Sequence, residues 1–295
     1  MDATPPAKDG DRPPGGERRA ARASRQRTPR AGRNLPAAIG VGSALAALVI
    51  LSLVFEKVAF LCVATVAVAV GVWELVGGLS HGRVQAPLVP CVLGALAMLP
   101  AAYFGGGGAL VLTFAMTCVA VLLWRAADGP AGAAGDIAAG VLVSAYVPLL
   151  AGFAALMLAA DDGAARILVF VLVTTSSDIG GYAVGVVAGR HPMAPSVSPK
   201  KSWEGFAGSA VTCVAVAVVC MLLLDGPWWG GVLLGAAIVV AATVGDLSES
   251  LLKRDLGIKD MGDILPGHGG VMDRLDSLVF AAPVAWALLA AFLGR

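Results

Sequence analysis

The chain has 295 residues, 58% of them hydrophobic and only 14% charged, with a formal net charge of +1 and a mean hydropathy of +0.82. An ordinary soluble domain is about a quarter charged, so the composition excludes one and points to an integral membrane protein. The apolar runs lack the period-two alternation of outer-membrane strands, so helices are the expected way to satisfy the backbone in lipid and the fold class is all-α.

Residues 1–34 hold nine Lys or Arg against four acids and almost no large apolar side chain. Such a segment buries too little surface to fold and reads as a disordered basic cytoplasmic tail. The rest, 35–295, reads as one membrane-embedded domain. Its apolar runs fall at roughly 36–55, 58–79, 86–104, 107–124, 137–160, 165–188, 205–224, 228–245 and 277–294, each about the length that crosses a bilayer. About nine transmembrane helices are therefore expected, with the glycine run Gly105 to Gly108 as a turn between the third and fourth. With the N-terminus cytoplasmic, the tail and the loops after even-numbered spans hold eighteen of the 21 basic residues, all but Lys57, Arg166 and Arg295. This satisfies the positive-inside rule and puts the long polar connections, 189–204 and 246–276, on the cytoplasmic side. Cys62, Cys91, Cys118, Cys213 and Cys220 all sit in apolar runs, and neither a disulfide nor a metal site is expected of them.

Polar residues concentrate in three places. Asp178 lies inside the sixth run, where an ionised carboxylate is costly and points to a functional site. It is followed by "SPKKSWEG", in which Ser198, Lys200, Lys201, Ser202 and Glu204 supply cations and hydroxyls suited to a polyphosphate. At the end of the eighth run Asp246, Ser250, Lys253 and Gly257 recur at helical spacing on one face, joined by Arg254. Beyond them Lys259 and Asp260 precede "PGHGG", where His268, Gly269 and Gly270 form a loop able to approach phosphate oxygens. Asp273 and Asp276, at i and i+3 around Arg274, are a pair of carboxylates suited to a hard divalent cation. Glu74, near the cytoplasmic end of the second run, either snorkels or accepts a hydrogen bond. Acids for metal and bases for phosphate beside a membrane suggest phosphoryl or nucleotidyl transfer to a lipid headgroup, in which the protein positions reactants and stabilises charge.

The stretch Ser248 to Asp276, "SESLLKRDLGIKDMGDILPGHGGVMDRLD", resembles the signature of the phosphatidate cytidylyltransferases, the CDP-diacylglycerol synthases. The upstream "SDIGGY…GR…SPKKSWEG" is similar to that family's second block, with Ser202 where Thr is common. The resemblance spans about residues 36–294. It implies an enzyme joining CTP to phosphatidic acid to give CDP-diacylglycerol and pyrophosphate, using Mg²⁺ with a monovalent cation such as K⁺ as a possible second ion. Catalytic residues would be Asp246, Asp273, Lys253 and Asp260, and metal ligands Asp246, Asp273, Asp276 and Asp178. CTP and lipid phosphate would be bound by Ser198, Lys200, Lys201, Ser202, Glu204, Ser250, Arg254, Lys259, His268, Gly269, Gly270 and Arg274. A homodimer in the cell's inner membrane, active on the cytoplasmic side among membrane lipids and with no nucleic-acid partner, is the further expectation. Two other readings remain at this point: an ion- or proton-coupled transporter using Glu74 and Asp178 as relays, and a sister enzyme acting on another lipid phosphate or a CTP-dependent lipid kinase.

Overall fold

A computed structural model describes Met1 and residues 35–82, 84–264 and 269–294. The rest of the basic tail and His268 lie outside the described residues. Of the described residues 82% are helical, as expected where each backbone polar group in hydrocarbon must find its partner within its own segment. Among the described residues seven helical stretches are long and apolar enough to cross a membrane, which makes this a polytopic helical membrane protein. A shorter apolar stretch, Gly42–Phe55, belongs to the first helix, α1 (Leu35–Phe55).

Helix α2 (Lys57–Leu79) leads to α3 (Leu88–Ala127), forty residues long with one non-helical residue, Gly106, at φ 72°. Along a straight helix Gly94 and Thr117 would stand roughly 35 Å apart at 1.5 Å per residue. Yet a Cβ added at Gly94 would meet the Thr117 Oγ1 at 2.5 Å. The chain therefore folds back at Gly106, whose left-handed backbone an L side chain rarely adopts. Then come α4 (Ala133–Ser144), a π-helical turn over Ala145–Leu149 and α5 (Leu150–Ala159). Pro148 lies in that turn, where the wider winding accommodates a residue with no N–H to give the ladder.

Helix α6 (Gly163–Ala188) is joined to α7 (Trp203–Leu223) by a small antiparallel hairpin, β1 (Pro192–Ala194) and β2 (Ser198–Ser202). This hairpin is the one sheet among the described residues. It pairs Pro192 with Ser202 and Ala194 with Ser198, and Trp203 N donates to His191 O at 3.0 Å to close it. Ser202 ends the strand and caps the next helix, its hydroxyl accepting from Gly205 N at 3.1 Å, the bond an N-cap residue makes to a helix's orphan N–H groups. Helices α8 (Trp228–Asp255) and α9 (Met272–Leu293) complete the bundle.

Small residues let these helices approach closely, as is common where lipid offers no hydrophobic drive for association. Ser209 Oγ and Thr212 Oγ1 of α7 donate to the carbonyls of Ser177 and Ser176 in α6 at 2.7 and 3.0 Å. Gly245 of α8 lies so near the Asp276 carbonyl of α9 that any Cβ there would overlap it. That approach sets Asp246, the next residue, beside α9. Near the end of α2, Glu74 accepts a hydrogen bond from Met272 N, the first residue of α9, at 2.7 Å. The ends of α2, α6 and α8 and the starts of α7 and α9 therefore share one end of the bundle. At the other end Lys57 Nζ donates to Ala160 O at 2.6 Å. On the same side as the shared end, Arg125 is buried against Asp136 at 2.9 Å and also bonds the carbonyls of Gly129 and Ala131. It is thus a brace for the α3–α4 connection as well as a basic residue on that flank.

Candidate active site

A cavity of about 300 Å³ opens at this shared end and is lined by Asp178 of α6, Ser198, Lys200, Lys201 and Ser202 of the hairpin, and Asp246 of α8. Residues more than sixty positions apart in sequence meet here because the hairpin folds over the cleft between α6 and α8. Lys201 Nζ lies 2.5 Å from Asp246 Oδ2, with both side chains about a third exposed or less. Ser250, one turn further along α8, donates to Asp246 Oδ1 at 3.3 Å. Arg254 Nε donates to Val197 O at 3.2 Å and so ties the hairpin turn to α8.

A second polar group adjoins the first through α8 and α9. Lys253 Nζ sits 2.5 Å from Asp273 Oδ1 and 2.8 Å from Glu249 Oε2. Glu249 and Asp273 are almost fully buried, at 1% and 6% side-chain exposure, so the lysine bridges two carboxyl groups largely shielded from water. Asp273 also accepts N–H bonds from Gly270 at 2.7 Å and from Met261 at 3.2 Å. It thereby ties Met261 and Gly270 to the first turn of α9, where a carboxylate is favoured by the helix dipole. Gly269 is at φ 80°, and a Cβ there would meet Asp273 Oδ2 at 2.9 Å and Asp260 Oδ1 at 3.6 Å, which places Asp260 beside the same carboxylate. Asp276 lies between the two groups, buried, accepting from Ser277 N at 2.6 Å. It is close enough to Asp178, Asp246 and Glu249 for their charges to interact.

Two expected residues point elsewhere. Glu204 receives the N–H groups of Arg190 and His191 at 3.1 and 3.2 Å and meets His191 Nδ1 at 2.5 Å, so it fixes the end of α6 to the start of α7. Lys259 is exposed at 91%, 4.0 Å from Asp260. Arg274 is exposed on α9, near enough for its charge to act on Asp178. Glu74 and Asp178, the two acids a transport relay would use, lie at the same end rather than on opposite sides of the bundle.

Sequence reasoning missed Glu249 and Tyr146. Glu249 stands at i−4 from Lys253, the spacing of a helical ion pair, and that spacing could have found it. Tyr146 sits in the π-helical turn, buried, its ring edge-on to Phe280 at 5.3 Å. Its hydroxyl and Glu249 Oε1 are buried with no hydrogen-bond partner among the described residues. No sequence signal marks Tyr146.

Among the described residues no three Asp, Glu, His or Cys side chains converge tightly enough to hold a metal alone. The four acids expected as metal ligands are spread over the two adjoining groups, and Asp246 and Asp273 each face a lysine. This donor set fits Mg²⁺ of the kind that takes one or two carboxylates and completes its shell with water and substrate phosphates. It does not fit an all-protein cage.

A helical membrane bundle with lysines and carboxylates paired around a cleft at one end is the class of protein that the fold and the site define. The chain belongs to the cytidylyltransferase family, whose defining sequence pattern matches residues 36–292, and it is a nucleotidyltransferase. It is 41% identical over 292 residues to the phosphatidate cytidylyltransferase of Mycobacterium leprae, with 93% of each chain covered. It is 40% identical over 277 residues to the phosphatidate cytidylyltransferase of Mycobacterium bovis, covering 89% of this chain and 90% of that one. The corresponding protein of Haemophilus influenzae is 42% identical over 121 residues, 39% of this chain and 42% of its own. The resemblance read from Ser248 to Asp276 holds.

Proposed function

We propose that this chain transfers the cytidylyl group of CTP to phosphatidate, giving CDP-diacylglycerol and pyrophosphate for phospholipid synthesis. The observation that carries the reading is 41% identity across 93% of the chain to a phosphatidate cytidylyltransferase. The residues of the matching motifs gather at one end of the bundle, which supports it further.

The chemical task is charge neutralisation. A triphosphate and a phosphomonoester repel by roughly 1 kcal/mol per pair of charges at 4 Å in water and by more in a drier cleft. Lys200 and Lys201 on the hairpin hold the triphosphate, with Ser198 and Ser202 as hydroxyl partners. Lys253 and Arg274 face the reacting phosphates from α8 and α9. Drawn to phosphate, Lys201 leaves Asp246 free to bind a cation. Mg²⁺ held by Asp246 and Asp273 with support from Asp178 and Asp276, and a second ion such as K⁺, would neutralise the phosphates and polarise the α-phosphorus when bound. The lipid phosphate oxygen then forms a bond to the α-phosphorus of CTP as the bond to the bridging oxygen breaks, and pyrophosphate leaves. No protein nucleophile is needed.

The protein is proposed to span the inner membrane nine times with its N-terminus and site in the cytoplasm. The reversal at Gly106 and the distribution of basic residues support this topology. A homodimer is proposed from the family resemblance. The test is pyrophosphate release by the purified protein in liposomes. Release that needs CTP, phosphatidate and a divalent ion together supports the reading; its absence with both substrates under every divalent ion tried defeats it.

A further inference from the structure

We infer that Glu74, on a membrane helix far from the motifs in sequence, is a positioning residue that fixes the start of α9, with Gly262 and Gly270 against it, for the reaction. The geometry is specific. Glu74 is 3% exposed, and its Oε2 accepts from Met272 N at 2.7 Å. It thus satisfies one of the orphan N–H groups at the start of α9 and sets a carboxylate against the positive end of that helix. Two glycines of the 256–271 loop sandwich the same carboxyl group. A Cβ on Gly270 would stand 2.5 Å from Oε2, and one on Gly262 would overlap Oε1. Only residues without side chains fit on either face.

From this anchor the loop reaches the reacting groups in one step. Gly270 N donates to Asp273 at 2.7 Å, Met261 N donates to the same carboxylate, and Asp273 holds Lys253. The other oxygen of Glu74, Oε1, is buried without a hydrogen-bond partner among the described residues. Leaving a buried carboxylate half satisfied is costly, so a capping role alone, which a neutral acceptor could fill, does not account for it. A lipid-facing acid that snorkels would point its carboxylate to water; this one points into the protein. Glu74 does not reach the cavity lined by Lys200 and Lys201, so its influence on catalysis runs through the loop and α9.

The kinetic arm of the test rests on the cytidylyl-transfer reading and the structural arm does not. Full-length protein in detergent is followed by hydrogen–deuterium exchange of peptides covering 259–276, and by pyrophosphate release over a range of CTP concentrations. Glu74→Ala is expected to speed exchange of that segment at least tenfold while peptides from α6 and α7 keep wild-type rates. It should lower kcat at least tenfold with the KM for CTP within twofold of wild type. Glu74→Gln, which keeps an oxygen for Met272 N–H, should recover most of the slow exchange and only part of kcat. Should Glu74→Ala not be recovered as folded protein, Gly270→Ala, whose methyl group displaces the same carboxylate, must give the same paired change. Both changes together support the inference. Fast exchange with wild-type kcat, lost kcat with wild-type exchange, or loosening spread evenly over all helices overturns it. If the wild-type protein releases no pyrophosphate, the enzymatic reading falls, and the exchange result by itself decides whether Glu74 fixes this segment.

Discussion

Replacing Lys253 with Met separates its two roles. The ammonium lies 2.8 Å from Glu249 Oε2 and 2.5 Å from Asp273 Oδ1, and both carboxyl groups are largely shielded from solvent. At these distances each attraction is about 6 kcal/mol for an effective dielectric of 20, much of it offset by the desolvation of all three groups. What the substitution leaves behind is two buried carboxylates near Asp276 with nothing to neutralise them. Removing one partner of a buried ion pair costs about 3–5 kcal/mol, which for a chain of this size corresponds to a fall on the order of ten degrees in Tm. Thermal unfolding in detergent reads that fall, and a Lys253→Met, Glu249→Gln double variant should recover about half of it, since one of the two stranded charges is gone. Pyrophosphate release measured well below Tm should show a raised CTP requirement. Lys253→Met with an unchanged Tm and unchanged kinetics would place this lysine on a solvated face and refute the reasoning.

Asp273→Asn changes little volume but removes the charge that faces Lys253, and turnover should fall at least a hundredfold, on the order of 3 kcal/mol in the barrier, while size-exclusion behaviour stays that of the wild type. Lys201→Ala breaks a partly exposed pair, which contributes about 1 kcal/mol or less to stability; Tm should hardly move, while the KM for CTP rises at least fivefold in a steady-state titration. Gly245→Ala puts a methyl group onto the Asp276 carbonyl and should lower stability by about 1–3 kcal/mol, with loss of turnover as α8 and α9 part, measured by thermal unfolding and pyrophosphate release.

The apolar runs announced the helices because an uninterrupted 20-residue apolar segment has few alternatives in lipid. The Lys253 and Asp273 that meet across α8 and α9 were legible as motif residues, although their pairing was not. Pairing depends on how closely two helices approach, and that is set by Gly245, whose lack of a side chain carries no such message in sequence. Glu204 looked like a phosphate-site acid from its neighbours, but two N–H groups at the end of α6 need an acceptor and take it. The strand pair at 192–202 was hidden inside a loop rich in Pro and Ser, where short strands leave little periodicity to read. Glu74 was legible as an intramembrane acid that either snorkels or accepts a hydrogen bond, and the fold selects the second by bringing Met272 N–H to it across 198 positions; Tyr146 carried no signal, and only the folded chain sets it against Phe280.

The most direct measurement follows the phosphorus atoms. Purified protein in liposomes containing phosphatidate is given CTP labelled at either the α- or the γ-phosphorus, and the lipid fraction is counted. Cytidylyl transfer predicts that α-label enters lipid and γ-label leaves in pyrophosphate. Entry of γ-label into lipid would mean a CTP-dependent lipid kinase instead, and no label in lipid from either nucleotide would contradict the assignment of this site to phosphatidate.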